Sequence, residues 1–112
     1  MNHPELSKEE INDLKFRAKS VLPKLTEKFA EKMNVNYGTV KITSAKKRFG
    51  SCSVKNNICY SYILMEYPYE AIEYVVVHEL AHTIHHNHSR EFYNFIEKFL
   101  PDYKEREKLL KR

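Results

Sequence analysis

Apolar residues recur with a helical period over the first third of the chain, where Ile11, Leu14, Ala18, Val21, Leu22, Leu25, Phe29 and Met33 fall along one face. Ser7 and Glu10 have the Ser-x-x-Glu spacing of a capping box, in which each side chain satisfies the other residue's backbone N–H. The pattern predicts one amphipathic helix, or two joined at Pro23, with a kink or short break near Val21 and Leu22, because Pro23 lacks an N–H and crowds the preceding turn. The turn-forming cluster Asn36, Tyr37, Gly38 should follow its end. From Thr39 to Tyr62 the period shortens to two, through Val40 and Ile42, Phe49 to Val54, and Ile58, Tyr60 and Tyr62. Lys55, Asn56 and Asn57 separate two of these runs as a hairpin turn would, and a three-stranded antiparallel sheet is the economical assignment. Gly50 inside a strand pattern marks a bulge or a close approach of another backbone.

Pro68 suits the first turn of a helix running to about His86, with Ala71, Ile72, Val75, Val76, Leu80 and Ile84 buried. Tyr74 to Val77 are poor helix formers, so tertiary burial has to hold this segment helical, and it becomes the central core helix. After Asn87 comes a shorter helix with Phe92, Tyr93, Phe95, Ile96 and Leu100, stopped by Pro101, then a last turn or two with Leu109 and Leu110. The expected class is α+β. The 112 residues, 42% of them hydrophobic, leave room for one core, so residues 1–112 read as a single domain.

Charge and composition narrow the partners. Lys and Arg outnumber Asp and Glu by 19 to 15, a mild bias toward anions that is too small and too diffuse to mark a nucleic-acid binder. Lys46, Lys47 and Arg48 are the one three-residue basic run. The basic tail, Lys104, Arg106, Lys108, Lys111 and Arg112, is interleaved with Glu105 and Glu107 and reads as a solvated helix face. No apolar run approaches the roughly 18 to 20 residues that cross a bilayer. No secretory signal is visible from Met1 to Pro4, and a cytoplasmic location follows as the expectation. Cys52 and Cys59 could face each other across a hairpin, but a reducing compartment favours two free thiols.

The chemistry concentrates in His78-Glu79-Leu80-Ala81-His82. On a helix, positions i and i+4 are about 40° apart around the axis and about 6 Å apart along it, so both imidazoles project toward one point. Glu79 is offset by about 100°, poorly aimed as a further ligand but well aimed at a water held there. The plainer alternative, two ordinary helix histidines, leaves an acidic side chain beside them on the most buried helix with no positive partner; a metal removes that cost. A catalytic zinc takes three protein ligands and an open position. Three ligands along one straight helix cannot surround an ion, so the chain must turn first. Asn87 tolerates the left-handed conformation that ends helices, and His88 after it is the leading third ligand, with His86, His85 and Glu91 behind it.

Arg48-Phe49-Gly50-Ser51-Cys52-Ser53, then Tyr74 to His82, then Asn87-His88-Ser89, resemble in order and spacing the YgjP-like metal-dependent hydrolases, a zincin-like family related to the SprT-like and WLM metallopeptidases. The likeness runs from the first helix to Tyr103. It implies a minimal zincin-like fold: an N-terminal helix, a three-stranded sheet, an active-site helix, and one or two C-terminal helices with the third ligand. It also implies Zn2+ on His78, His82 and His88, Glu79 as general base, and a cleft bordered by Arg48, Gly50 and Ser51, where an extended peptide could add to the sheet edge. Phe49 stands where family members commonly have Trp, and the β-rich N-terminal region that many of them carry is not in this chain.

The expected reaction is metal-assisted hydrolysis of a peptide or protein substrate. Two alternatives share the metal: a nucleotide phosphohydrolase of pyrophosphatase type, with Lys46, Lys47 and Arg48 on the phosphate, and a non-catalytic zinc-stabilised binding module. Nickel or manganese could replace zinc.

Overall fold

Ser7 opens the first helix as its spacing predicts: its hydroxyl accepts from the Glu10 N–H at 3.1 Å, and the Glu10 carboxylate accepts from the Ser7 N–H at 3.0 Å. The computed structural model describes residues 5–111; Met1 to Pro4, where no secretory signal reads, and Arg112 of the basic tail lie outside the described residues. Helix α1 (Lys8–Met33) runs through Pro23 without the expected break. Leu22, Leu25 and Thr26 are buried on either side of the proline, and the Thr26 hydroxyl donates to the Leu22 carbonyl at 2.7 Å. Packing on both sides therefore outweighs one missing backbone bond. Asn34, in the left-handed conformation at φ 56°, ends the helix by donating to the carbonyls of Ala30 and Glu31.

Strands β1 (Val40–Thr43), β2 (Gly50–Cys52) and β3 (Ile58–Ser61) form one sheet in the order β1-β3-β2. The sheet is mixed, which corrects the antiparallel expectation: β2 and β3 are antiparallel, but β1 and β3 are parallel. Alternation of side chains reveals which residues share a face, not which way a strand runs. The hairpin is where Lys55 to Asn57 suggested, with Asn56 at φ 65° and the Ser53 N–H donating to the Asn57 carbonyl. Residues 44–49 carry the chain from β1 across to the far edge, so β3 returns alongside β1 in the same direction. Cys52 pairs with Ile58 and Ser51 with Cys59, so the two thiols lie on opposite faces and both are free.

Ile58 and Tyr60 turn the sheet's buried face toward the helices. Tyr60 is fully buried and its hydroxyl meets the Thr26 hydroxyl at 2.8 Å. Because the single Thr26 proton goes to Leu22, Tyr60 is the donor to Thr26. A 3-10 turn, Tyr62–Glu66, leads to Pro68, which caps helix α2 (Tyr69–Ala81). Nine of the thirteen residues of α2 are buried, Tyr74 to Val77 among them, as a segment of poor helix formers requires.

Helices α3 (Arg90–Phe99) and α4 (Tyr103–Lys108) complete the chain. The basic tail is not a uniformly solvated face: Arg106 reaches the Glu73 carboxylate on α2 at 2.8 Å, Asp102 at 2.8 Å and the Glu70 carbonyl at 3.2 Å. That arginine clamps α4 onto α2. Among the described residues no helix is long and apolar enough to cross a membrane.

Candidate metal centre and its cleft

Helix α2 presents His78, Glu79 and His82, and stops there. The helix expected to reach His86 ends at Ala81, with His82 as its cap. The reason lies in the next turn, where Thr83 and Ile84 donate their N–H groups three residues back, to Leu80 and Ala81, and the Thr83 hydroxyl caps the Leu80 carbonyl at 2.6 Å. Asn87 is not the left-handed residue that was expected, since among the described residues only Asn34 and Asn56 have positive φ. The chain turns through residues 82–84, bends at Asn87 and restarts at Ser89, whose hydroxyl accepts from the Phe92 N–H and caps α3. His88 is carried to the mouth of the bend.

The result is one cluster. Ligand atoms of His78, His82 and His88 lie within 4.8 Å of one another, and no other group of three metal-ligating side chains comes together among the described residues. His85, His86 and Glu91 are outside it. His85 contributes its carbonyl instead, which accepts from Nδ1 of His82 at 3.0 Å. That bond puts the His82 proton on Nδ1 and leaves the Nε2 lone pair to face the cluster.

Phe92 is the floor beneath the three rings. Fully buried, it stacks on His82 at 4.4 Å between centroids and meets His78 and His88 edge-on at 5.0 and 5.2 Å. Burial pushes the His82 imidazole below its ordinary pKa, so the ring is neutral and its lone pair available.

Glu79 is 5% exposed, an acidic group inside the core. Its Oε2 lies 3.2 Å from Nδ1 of His78. The space for it exists because residue 50 is glycine: a Cβ there would stand 3.2 Å from Cγ and 3.3 Å from Oε2 of Glu79, and 3.1 Å from the Cys59 carbonyl. The close approach expected at Gly50 is thus partly a side chain's. Cys52, on the same strand, is pushed up to about 11 by burial and then by the Glu79 charge, which keeps it a thiol.

The cleft continues to both sides of Glu79 as two cavities of about 260 Å³ each. One holds the three histidines, Ser51, Cys52 and His86. The other opens from His78 and Glu79 toward α4 and is walled by Arg48, Phe49, Tyr74, Val75, Glu107 and Leu110. Gly50 borders both, and β2 is an edge strand of the sheet. Arg48, Gly50 and Ser51 therefore lie along the cleft. The roles of Phe92, the His85 carbonyl and Glu107 were not legible in the sequence, although Phe92 stands one helical turn after His88, a spacing that puts two side chains in contact.

This arrangement of helix, small sheet, active-site helix and C-terminal helices around a histidine cluster is that of a metal-dependent hydrolase of metallopeptidase type. The chain belongs to the YgjP-like family: the model of the YgjP-like metallopeptidase domain matches residues 2–112. Among solved structures it is similar to the metallopeptidase zymogen abylysin of Pyrococcus abyssi, at 26% identity and a TM-score of 0.70, over 79% of this chain and 90% of that one. The fold is also that of the zymogen jannalysin of Methanocaldococcus jannaschii, at 20% identity and a TM-score of 0.67, over 77% of this chain and 89% of that one. No curated protein matches the chain. Membership implies a divalent metal and a peptide or protein substrate; it lends nothing to the nucleotide alternative.

Proposed function

We propose that the chain is a zinc peptidase in which His78, His82 and His88 hold the ion and Glu79 is the general base. The observation that carries this reading is the convergence of three imidazole donors beside a buried carboxylate. The donors fit the ion: three imidazoles and an open position suit a catalytic zinc, whereas manganese favours oxygen ligands. Tetrahedral coordination at about 2.1 Å needs donors about 3.4 Å apart. The three donors lie within 4.8 Å of one another.

When bound at His78, His82 and His88, the ion would supply Lewis acidity to the scissile carbonyl and to the attacking water. Glu79 takes the proton of the attacking water and passes it to the leaving amine. Gly50 and Ser51, on the edge strand, pair with the main chain of an extended substrate as an added strand. Negative charge developing on the carbonyl oxygen is met by Arg48 on the cleft wall, because the hydroxyl of the other nearby donor, Tyr74, is committed to Glu107 at 3.0 Å. Residues 1–112 act as one domain in this reading, since α4 is clamped to the active-site helix by Arg106.

The test is peptide cleavage by the zinc-loaded chain, with metal content measured alongside. Glu79→Gln is expected to retain one equivalent of zinc and lose turnover. Full activity in that variant would remove Glu79 from the mechanism, and a zinc-loaded wild type that cuts no peptide would remove the peptidase reading.

A further inference from the structure

We propose that Glu107 makes the cavity beside α4 a subsite for a cationic side chain, so that the enzyme cuts next to Lys or Arg. The inference rests on the peptidase reading above and adds the class of substrate. The cavity opens directly from His78 and Glu79, so a side chain occupying it belongs to a residue that flanks the scissile bond. Its lining includes the apolar side chains of Phe49, Val75 and Leu110, which suit an aliphatic stem. Its charge lies on Glu107, which is half-buried and held by the Tyr74 hydroxyl on Oε2 at 3.0 Å.

One hydrogen bond leaves most of the acceptor capacity of a carboxylate unused, since its two oxygens offer about four lone-pair sites. A lysine ammonium or an arginine fork supplies the complementary donors, in charge-assisted bonds about twice as strong as neutral ones. The position of Glu107 is not left to a loose tail. Arg106, the preceding residue, ties α4 to Glu73, Asp102 and the Glu70 carbonyl.

Arg48 is the opposing charge on this wall, and it would favour an acidic side chain. It is exposed, however, where water and salt screen it, whereas Glu107 is half-buried and fixed by a hydrogen bond. The fixed, less screened charge sets the preference. Arg48 is then left to the substrate carbonyl.

The experiment digests a library of N-acetylated, C-amidated peptides with the zinc-loaded full chain and reads the cut sites by mass spectrometry. Blocking the amines ensures that any cation recognised is a side chain. Lys and Arg are expected at one flanking position about tenfold over Gln and Met, the equivalent of one well-placed charged contact. E107Q keeps an acceptor for Tyr74, and is expected to bring that ratio close to one. E107K is expected to turn the preference toward Asp and Glu. A measurement on the wild type alone guards against a variant that folds poorly: the basic preference should shrink when salt is raised from about 20 mM to about 0.5 M. Cleavage without a basic preference, or a preference that survives E107Q in folded protein, overturns the subsite and leaves the peptidase reading standing. Absence of any cleavage by the wild type brings down both.

Discussion

The two sides of the histidine cluster are built differently. His78 and His82 stand at the end of a helix that is buried on nearly every face, whereas His88 stands on an exposed bend between two helices. On the helical side, position is dictated by the core: Val76, Val77, Leu80 and Ala81 are fully buried around the two ligands, and the His85 carbonyl fixes the His82 tautomer. On the other side, the Ser89 cap and contacts with Phe92 and Tyr93 hold the ring. In the proposed site two donors and the base are thus set by the core, and the third donor by surface contacts. Rigid elements supply precision, and a short exposed segment supplies entry.

The largest expected effect lies on the buried side. Glu79→Gln should reduce peptide hydrolysis by roughly 10²- to 10⁴-fold, the usual contribution of a general base, at unchanged zinc stoichiometry. Loss of zinc together with activity would mean that the carboxylate helps hold the ion, and the division between ligands and base would have to be redrawn.

The comparison itself is tested by replacing one histidine from each side. His82→Ala and His88→Ala should each weaken zinc binding by more than about 100-fold, beyond the usual loss for an outer partner of a ligand. In the metal-free protein the two should part. Removing the His82 ring uncovers Phe92 and should cost about 1 to 2 kcal/mol in a urea melt, while removing the exposed His88 ring should stay within about 0.5 kcal/mol. Equal costs would mean that the bend is as much part of the core as the helix is.

A smaller change probes the gap that admits Glu79. Gly50→Ala places a Cβ 3.2 Å from Glu79 Cγ and 3.1 Å from the Cys59 carbonyl, so either the strand or the carboxylate has to give. Turnover should drop by about ten- to a hundredfold, as expected for a misplaced catalytic group, with zinc affinity preserved. Zinc titration and steady-state kinetics on the same preparation separate the two.

The buried side was also the more legible one in sequence. The His-Glu-x-x-His spacing, the apolar run Val75 to Val77 and the capping box of α1 are local patterns with local causes, and they placed α1 and the start of α2 correctly. What could not be read depends on long-range packing. Strand direction in β1 was set by a crossover that alternation cannot report, so the sheet is mixed. The break expected at Pro23 was cancelled by burial of Leu22, Leu25 and Thr26. The early end of α2 came from hydrogen bonds of Thr83 and Ile84 rather than from Asn87. The chain does bend at Asn87, just before His88, but without the left-handed conformation expected there.

The smallest effect expected here concerns the far wall of the cleft, which contrasts with α2 in being held by charge rather than by burial. No residue of α4 is buried, and its anchor is the Arg106 contact with Glu73, at 17% and 16% side-chain exposure. Such a pair is partly screened, so Arg106→Met, which keeps the stem, should lower stability by only about 1 kcal/mol. Its kinetic signature should be specific nevertheless. Glu107 and Leu110 lie on the wall that this arginine positions, while His78 and Glu79 are carried by the buried helix α2. KM for a good peptide should rise about two- to fivefold with kcat nearly constant, the pattern of a lost binding contact rather than a lost catalytic one. A fall in kcat at unchanged KM would instead place α4 in control of α2 itself, and the distinction between a core-held site and a charge-held wall would dissolve.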